Sequence, residues 1–220
     1  MTVTEVVDKL ISRSPFLEEA IHDNIVNVSS LARKLKPEAE KILNKQVNTS
    51  AIVMAINRRP AGRYIKLSHQ IGKILKNLGD ITVRSGLSGH SFENSPTLVT
   101  CQRNLMDEAG KRKNTFFAFS QGVTETTLVI SNTLDHKTKR LFKGERKLSY
   151  NPGLGSVTIQ LPGENTKISG IYYFILKNLA WEGINIREII SATNELNIVV
   201  DETDTEKAFP VILNLKRPPR

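Results

Sequence analysis

At 220 residues the chain is long enough for two or three small domains, and with 39% hydrophobic residues it can build their cores. The net charge of +9 is uneven: residues 1–60 hold 9 Lys+Arg against 7 Asp+Glu, residues 61–150 hold 15 against 7, and residues 151–220 hold 7 against 8. No apolar run approaches the roughly 20 residues needed to span a bilayer, and Met1-Thr-Val-Thr-Glu lacks signal-peptide character. The single Cys101 excludes an intramolecular disulfide and reads as a packed core thiol. A cytoplasmic protein away from membranes is expected.

Residues 1–60 read as an all-helical domain. Val3, Val6, Val7, Leu10 and Ile11 fall at helical spacing, and Ser14-Pro15 marks a turn before a second helix from Phe16. A third helix begins near Val28-Ser29-Ser30 with Leu31, Ala32 and Leu35. Pro37 is expected to open a fourth with Ala39, Ile42 and Leu43, and the last runs from Asn48 to Ile56. Residues 61–79 form a connector, in which Gly62 leads to a helix from Leu67 to Leu78 that Gly79 ends.

Ser29-Ser-Leu-Ala-Arg-Lys-Leu35 looks like the first helix of a helix-turn-helix unit, which raises DNA binding as a possibility. Two observations weigh against it. The helix that would enter the groove, Thr49 to Ile56, is apolar on nearly every side and is read as offering no side chains for base edges. The basic excess also lies elsewhere, in residues 61–150.

Residues 80–150 and 151–220 share one pattern, which is clearer in the second. There a strand, Val157-Thr-Ile-Gln-Leu161, precedes a helix marked by Ile168, Ile171, Tyr172, Ile175, Leu176 and Leu179. Gly183 closes the helix in the left-handed conformation. Strands Ile184–Ile190 and Leu196–Val200 follow, then a helix capped at Thr203-Asp204 that Pro210 is expected to shorten or kink. In the first copy Ile81-Thr-Val-Arg matches Val157-Thr-Ile-Gln, and a helix with Leu98, Cys101, Leu105, Met106 and Ala109 ends at Gly110 as the other ends at Gly183. Phe116–Ser120, read as a buried strand, matches Glu188–Ser191; Leu128–Ile130 matches Ile198–Val200, and Asp135 matches Asp204. Landmarks in one order, with steadily changing offsets, indicate a repeat. The first copy's final strand is expected within Arg146–Tyr150. The fold class is therefore α+β: an N-terminal all-helical domain and two ferredoxin-like βαββαβ units.

The wording of the second copy carries a resemblance. Ser169-Gly-Ile-Tyr-Tyr-Phe-Ile-Leu176, Glu182-Gly-Ile-Asn-Ile-Arg-Glu-Ile189 and Asn197-Ile-Val-Val-Asp-Glu202 resemble the ACT domain, particularly the versions in aspartate kinases. The lysine- and glycine-rich opening of those kinases is missing, and 60 residues are too few for their catalytic domain. What the resemblance implies is ligand sensing, with an amino acid effector held where the loop after the first strand meets the first helix. Here Ile168, Ser169, Gly170 and Ile171 would receive the carboxylate on free N–H groups. Glu164, Asn165 and Asn185 would be the candidates for the ammonium. Ser169 stands where that pattern often has proline, which leaves the loop less rigid. In the first copy Glu93, Asn94 and Ser95 are the corresponding candidates.

Catalysis finds little support in the sequence. His22, His69, His90 and His136 form no pair at metal-ligand spacing. Gly153-Leu-Gly155 reads as a turn into the next strand. The clusters Lys111-Arg-Lys113, Lys137 to Arg140, Lys143 and Arg146-Lys147 read as a solvated face, with phosphate binding as the alternative. Lys216-Arg-Pro-Pro-Arg220 reads as a frayed tail. The expected function is a non-enzymatic regulatory sensor of a small amino acid, without cofactor or metal, whose two units pack together and which forms a homodimer. The alternatives are a DNA-binding transcription regulator and a detached regulatory partner of an amino-acid kinase.

Overall fold

Helix α1 (Val3–Ser12) begins at a reciprocal cap, in which the Glu5 amide donates to Thr2 Oγ1 at 3.2 Å and the Thr2 amide donates to Glu5 Oε2 at 2.9 Å. The computed structural model describes residues 1–59 and 63–216; the expected junction at Pro60–Gly62 and the tail beyond Lys216 lie outside them. The chain divides into two compact units, Met1–Gly72 and Lys73–Arg220. The first contains α1, α2 (Pro15–His22), α3 (Val28–Leu43) and α4 (Thr49–Asn57), around a core that includes Val6, Val7, Ile11, Ala32, Ile52 and Ile56. The division falls within α5 (Arg63–Lys76), which starts earlier than the expected connector helix.

Pro37 does not open a new helix; it lies inside α3. The proline removes a bond to the Arg33 carbonyl, but both residues face solvent, where water can satisfy that oxygen. Leu31, Ala32 and Ala39 are buried on either side and keep the helix continuous. After α4, the Arg59 side chain, 9% exposed, bonds Asp8 at 2.6 Å, Ser12 at 2.9 Å and Glu18 at 3.2 Å, which ties the end of α4 to α1 and α2. In α4, Ile52, Ala55 and Ile56 are buried, leaving Ser50, Met54 and Asn57 outward.

The second unit is mixed helix and sheet. Six strands form one antiparallel sheet in the order β2-β3-β1-β4-β6-β5: β1 (Ile81–Glu93), β2 (Phe117–Gln121), β3 (Glu125–Ser131), β4 (Lys147–Gln160), β5 (Ile186–Ala192) and β6 (Glu195–Asp201). The helices are α6 (Leu98–Gly110), α7 (Asp135–Leu141), α8 (Ile171–Trp181) and α9 (Thr205–Leu215), with Pro210 inside α9. Gly183 takes a left-handed φ of +69° after α8, as the sequence pattern expects.

The two repeats are not consecutive units but interlock through β1 and β4. His90 pairs with Leu128 as Val157 pairs with Ile198, so His90, and not the expected Ile81, is the counterpart of Val157. Ile81–Arg84 instead pair with Ile159–Ser156 and form the fourth strand of the second repeat. Among the described residues after β6 only a 3-10 turn and α9 follow, so the fourth strand comes from β1 and not from residues 151–220 as expected. Reciprocally, Lys147–Asn151 pair with the far half of β1 and complete the first repeat. Strands β1 and β4 therefore each serve both repeats. Each bends at a glycine with positive φ, Gly86 (+68°) and Gly153 (+67°), so Gly153–Gly155 lies within a continuous strand and is not a turn between elements. A β-carbon on Gly155 would lie 2.4 Å from Thr205 Cγ2 and 3.1 Å from the Arg84 carbonyl, a close approach only glycine permits.

Phe92, Leu98, Leu105, Leu128, Ile130 and Phe142 form the helix-side core of the first repeat. On the opposite face Leu87, Val129, Leu154 and Val199 form a smaller core to which both repeats contribute. Strand β2 is an edge strand and not the buried one expected: Phe116 and Phe117 are half-buried and Phe119 is exposed.

Candidate functional site

The two loops nominated by sequence are held by hydrogen bonds within the protein. After β4 the chain enters a short 3-10 turn (Gly163–Lys167), where the buried Asn165 donates its amide to the carbonyls of Pro162 at 2.8 Å and Thr193 at 2.9 Å. The first repeat repeats the device: Asn94 Nδ2 donates to the Gly122 carbonyl at 2.9 Å, and Asn94 Oδ1 accepts from Thr126 at 2.7 Å. Both asparagines pin their loop to the turn of the neighbouring hairpin. Ser95 is also engaged, accepting from the Leu98 amide at 3.1 Å and donating to Glu145 at 2.5 Å, while Glu93 pairs with Arg146 at 2.7 Å. Glu164 and Ser169 are exposed, Ile168 is half-buried in extended conformation, Gly170 has φ +89° and Ile171 is buried at the start of α8.

Asn185 is not brought to the Glu164–Ile171 loop. The loop follows the end of the sheet where Gln160 pairs with Glu195, whereas Ile186 pairs with Val200 at the other end. The 11 residues of α8 lie between them, a rise of about 16 Å at 1.5 Å per residue. Glu164, Asn165 and Asn185, all candidates for the ammonium, therefore do not converge on one site.

Asn185 lines a different cleft of about 210 Å³, built from both repeats. Gly89, Ser91, Thr127 and Asn151 come from the first repeat, and Asn185–Glu188 enter as the start of β5. Arg187 is held by Asp201 through two bonds of 3.0 and 2.8 Å. Glu188 has no cation partner among the described residues; burial, then the charge of Glu125, pushes its carboxyl above the ordinary value. A half-buried carboxyl with amide and hydroxyl groups around it suits a small ligand bearing an ammonium. The volume is below the roughly 300–1,000 Å³ of sites for drug-sized ligands, a scale closer to an amino acid.

A second polar group was not singled out in the sequence as a cluster. Asp135 Oδ1 accepts from Ser88 Oγ at 2.5 Å and lies 2.9 Å from His90 Nε2, while Asp135 Oδ2 accepts from Tyr150 at 2.9 Å. Burial is the largest influence on His90 and lowers its pKa, against the raising effect of Asp135. For Asp135, burial pushes upward, but the bonds from Ser88, His90 and Tyr150 together hold its carboxyl below the ordinary value. Hydrolytic triads need the imidazole between hydroxyl and carboxylate. Here both groups meet the carboxylate directly, and Ser88 and His90 are 0% and 1% exposed, so the cluster is a structural tie. The visible signal was Ser88 and His90, two polar residues at strand spacing in line with Phe92, followed by an acidic residue at the start of a later helix. Among the described residues no group of three His, Cys, Asp or Glu could hold a metal ion, and no helix is long and apolar enough to cross a membrane.

No protein-family model matches the sequence, and no curated protein matches it either. Solved structures do match the fold, and among them are ACT-containing regulatory regions of aspartate kinases. A structure of aspartokinase alpha and beta subunits aligns with TM-score 0.52 at 17% identity, over 63% of this chain and 97% of that one. The ligand-free regulatory subunit of aspartate kinase from Thermus thermophilus aligns with TM-score 0.51 at 11% identity, over 63% of this chain and 98% of that one. Aspartate kinase from Clostridium acetobutylicum aligns with TM-score 0.53 at 22% identity; the match takes in 64% of this chain but only 34% of that enzyme. At these identities the likeness defines a shared fold.

Proposed function

We propose that this chain is a regulatory protein without catalysis of its own that senses a small amino acid. The cleft at Asn185 carries this reading: the raised carboxyl of Glu188 would receive the ammonium, and Asn185, Asn151 and Ser91 would fix the remaining polar groups. The fold shared with regulatory subunits of aspartate kinases supports the same class of role. Both edge strands carry an exposed apolar side chain, Phe119 on β2 and Ile189 on β5, which favours pairing with a second copy into a dimer.

A thermal-shift screen against the twenty amino acids tests the reading. One of them should raise the melting temperature progressively, because a ligand at 100 times its Kd stabilises the folded state by about 2.7 kcal/mol. Glu188→Gln should weaken that ligand at least tenfold, whereas Gly170→Asp should leave it unchanged. If Gly170→Asp abolishes binding and Glu188→Gln does not, the site is the loop before α8; if no amino acid stabilises the protein, the sensor reading fails.

A further inference from the structure

On the helix-covered side of the first repeat, α7 and the start of β4 enclose a cleft of about 290 Å³ that has no part in the reading above. Its apolar part is aromatic. Phe92 and Phe142 are each 3% exposed, and their rings stack with centroids 4.7 Å apart. His90 lies behind Phe92, its ring parallel at 6.4 Å.

The rim is cationic. Lys139 from α7, Lys143 from the following loop and Lys147 from β4 all line the opening, and none pairs with a carboxylate among the described residues. Two of these ammonium groups share one tyrosine: Lys139 Nζ is 5.7 Å and Lys147 Nζ 4.3 Å from the Tyr150 ring centroid. Tyr150 is itself fixed by its bond to Asp135. Like charges gathered at one rim repel one another until a counter-charge arrives.

The single lining carboxylate does not supply that counter-charge. Glu145 accepts from Ser95 at 2.5 Å and Thr97 at 2.7 Å, one hydroxyl on each oxygen, and Cys101 Sγ lies at 3.6 Å. Those bonds turn it toward the start of α6 and lower its pKa below the ordinary value. Beside the buried His90 and Thr138, the cleft presents an aromatic floor and a rim of lysines without a carboxylate partner among the described residues.

We propose that this cleft binds a small aromatic anion, its ring against Phe92 and Phe142 and its charged group among Lys139, Lys143 and Lys147. Carboxylate and phosphate monoester share this chemistry, and the probes separate them: benzoate, phenyl phosphate and inorganic phosphate, titrated into the full chain at low salt and followed by amide chemical shifts. The expected result is saturable binding of benzoate or phenyl phosphate, tighter than inorganic phosphate by at least tenfold and weakened as salt rises. The stronger of the two aromatic probes identifies the charged group. Lys139→Met with Lys147→Met should weaken binding at least tenfold; both side chains are exposed, so the fold is retained. Lys111→Met with Lys113→Met, equally basic but remote from the aromatic floor, should change nothing. No saturable binding, binding unaffected by the Lys139/Lys147 pair, or inorganic phosphate binding as well as either aromatic probe would each overturn the proposal.

Discussion

The two repeats of the second unit share a backbone frame but fill it differently. Ser88, His90 and Tyr150 of the first repeat occupy the pairing positions that Gly155, Val157 and Val83 occupy in the second, and Asp135 opens α7 where Thr205 opens α9. In the second repeat close packing does the work: Val157 is fully buried, and Thr205 sits so near Gly155 that no β-carbon would fit. In the first, the same place holds a polar cluster in which three side chains converge on one carboxylate. A buried polar residue is tolerated when its donors meet an acceptor. The comparison shows that one frame supports either solution, provided each is complete. The first repeat is the elaborated copy, and it also carries the lysine-rimmed cleft.

The largest effects should come from what both repeats need alike. Leu105 on α6 and Ile175 on α8 are fully buried, so Leu105→Ala and Ile175→Ala should each cost about 2–5 kcal/mol. Because β1 and β4 belong to both repeats, either change should lower one common transition. Urea unfolding followed by circular dichroism, with hydrogen exchange of amides in each repeat, checks this: separate transitions would mean the shared strands do not couple the repeats.

Asp135→Ala addresses the difference between them. It removes the carboxylate that accepts from Ser88 and faces His90, leaving these buried groups only their mutual contact of 3.4 Å, for an expected loss of about 2–4 kcal/mol. Replacing the whole cluster with the second repeat's residues, Ser88→Gly, His90→Val, Asp135→Thr and Tyr150→Val together, should cost less than Asp135→Ala alone, since no orphaned donor remains. Urea midpoints for the single and quadruple variants decide it; a quadruple variant less stable than the single one would show that packing, not hydrogen bonding, sustains the first repeat.

These contrasts also explain what was legible in the sequence. The stripe Ile171, Ile175 and Leu179 and the glycine at 183 announced α8 and its end, because helical periodicity and left-handed caps are local properties. The alternation at Ile81–Arg84 announced a strand but not its partner, since pairing is decided by the other half of the sheet. The local likeness of Ile81–Arg84 to Val157–Gln160 therefore misplaces the counterpart of Val157, which is His90. Asn94 and Asn165 stood out as polar groups in loops, but nothing local distinguishes a ligand from a latch whose acceptor is 28 residues away. Glu188 was read as a strand landmark, and its place in a cleft follows from β5 meeting the first repeat. Tyr150, 15 residues from Asp135, became part of a cluster only through the pairing of β1 with β4.

A smaller and reversible effect should follow from pH. The folded state holds His90 below the ordinary value of 6.5, so as pH falls through that value the unfolded chain takes up a proton the folded chain refuses. Stability contributed by neutral His90 is thus present above about pH 6.5 and declines below it, until His90 titrates in the folded state. Asp135, also held low, adds a second decline below its ordinary value of 3.8. The quadruple variant lacks both groups, and its urea midpoint should change less between pH 7 and 5 than that of the parent. Equal changes would assign the acid sensitivity to other groups.

The smallest effect tests the symmetry itself. Gly86 and Gly153 bend β1 and β4 at corresponding places, with φ of +68° and +67°. At Gly153 an added β-carbon meets nothing within 4 Å, and at Gly86 it meets only Asn132 side-chain atoms, from 3.5 Å. Alanine at either site therefore introduces no clash and is penalised by backbone conformation alone, about 1–2 kcal/mol for a non-glycine residue in the left-handed region. Gly86→Ala and Gly153→Ala should lower the urea midpoint by the same amount. Asparagine, which tolerates that conformation better, should recover part of the loss at both. A cost confined to one position would mean that only one strand is bent under constraint, and that the interlock is less symmetric in energy than in geometry.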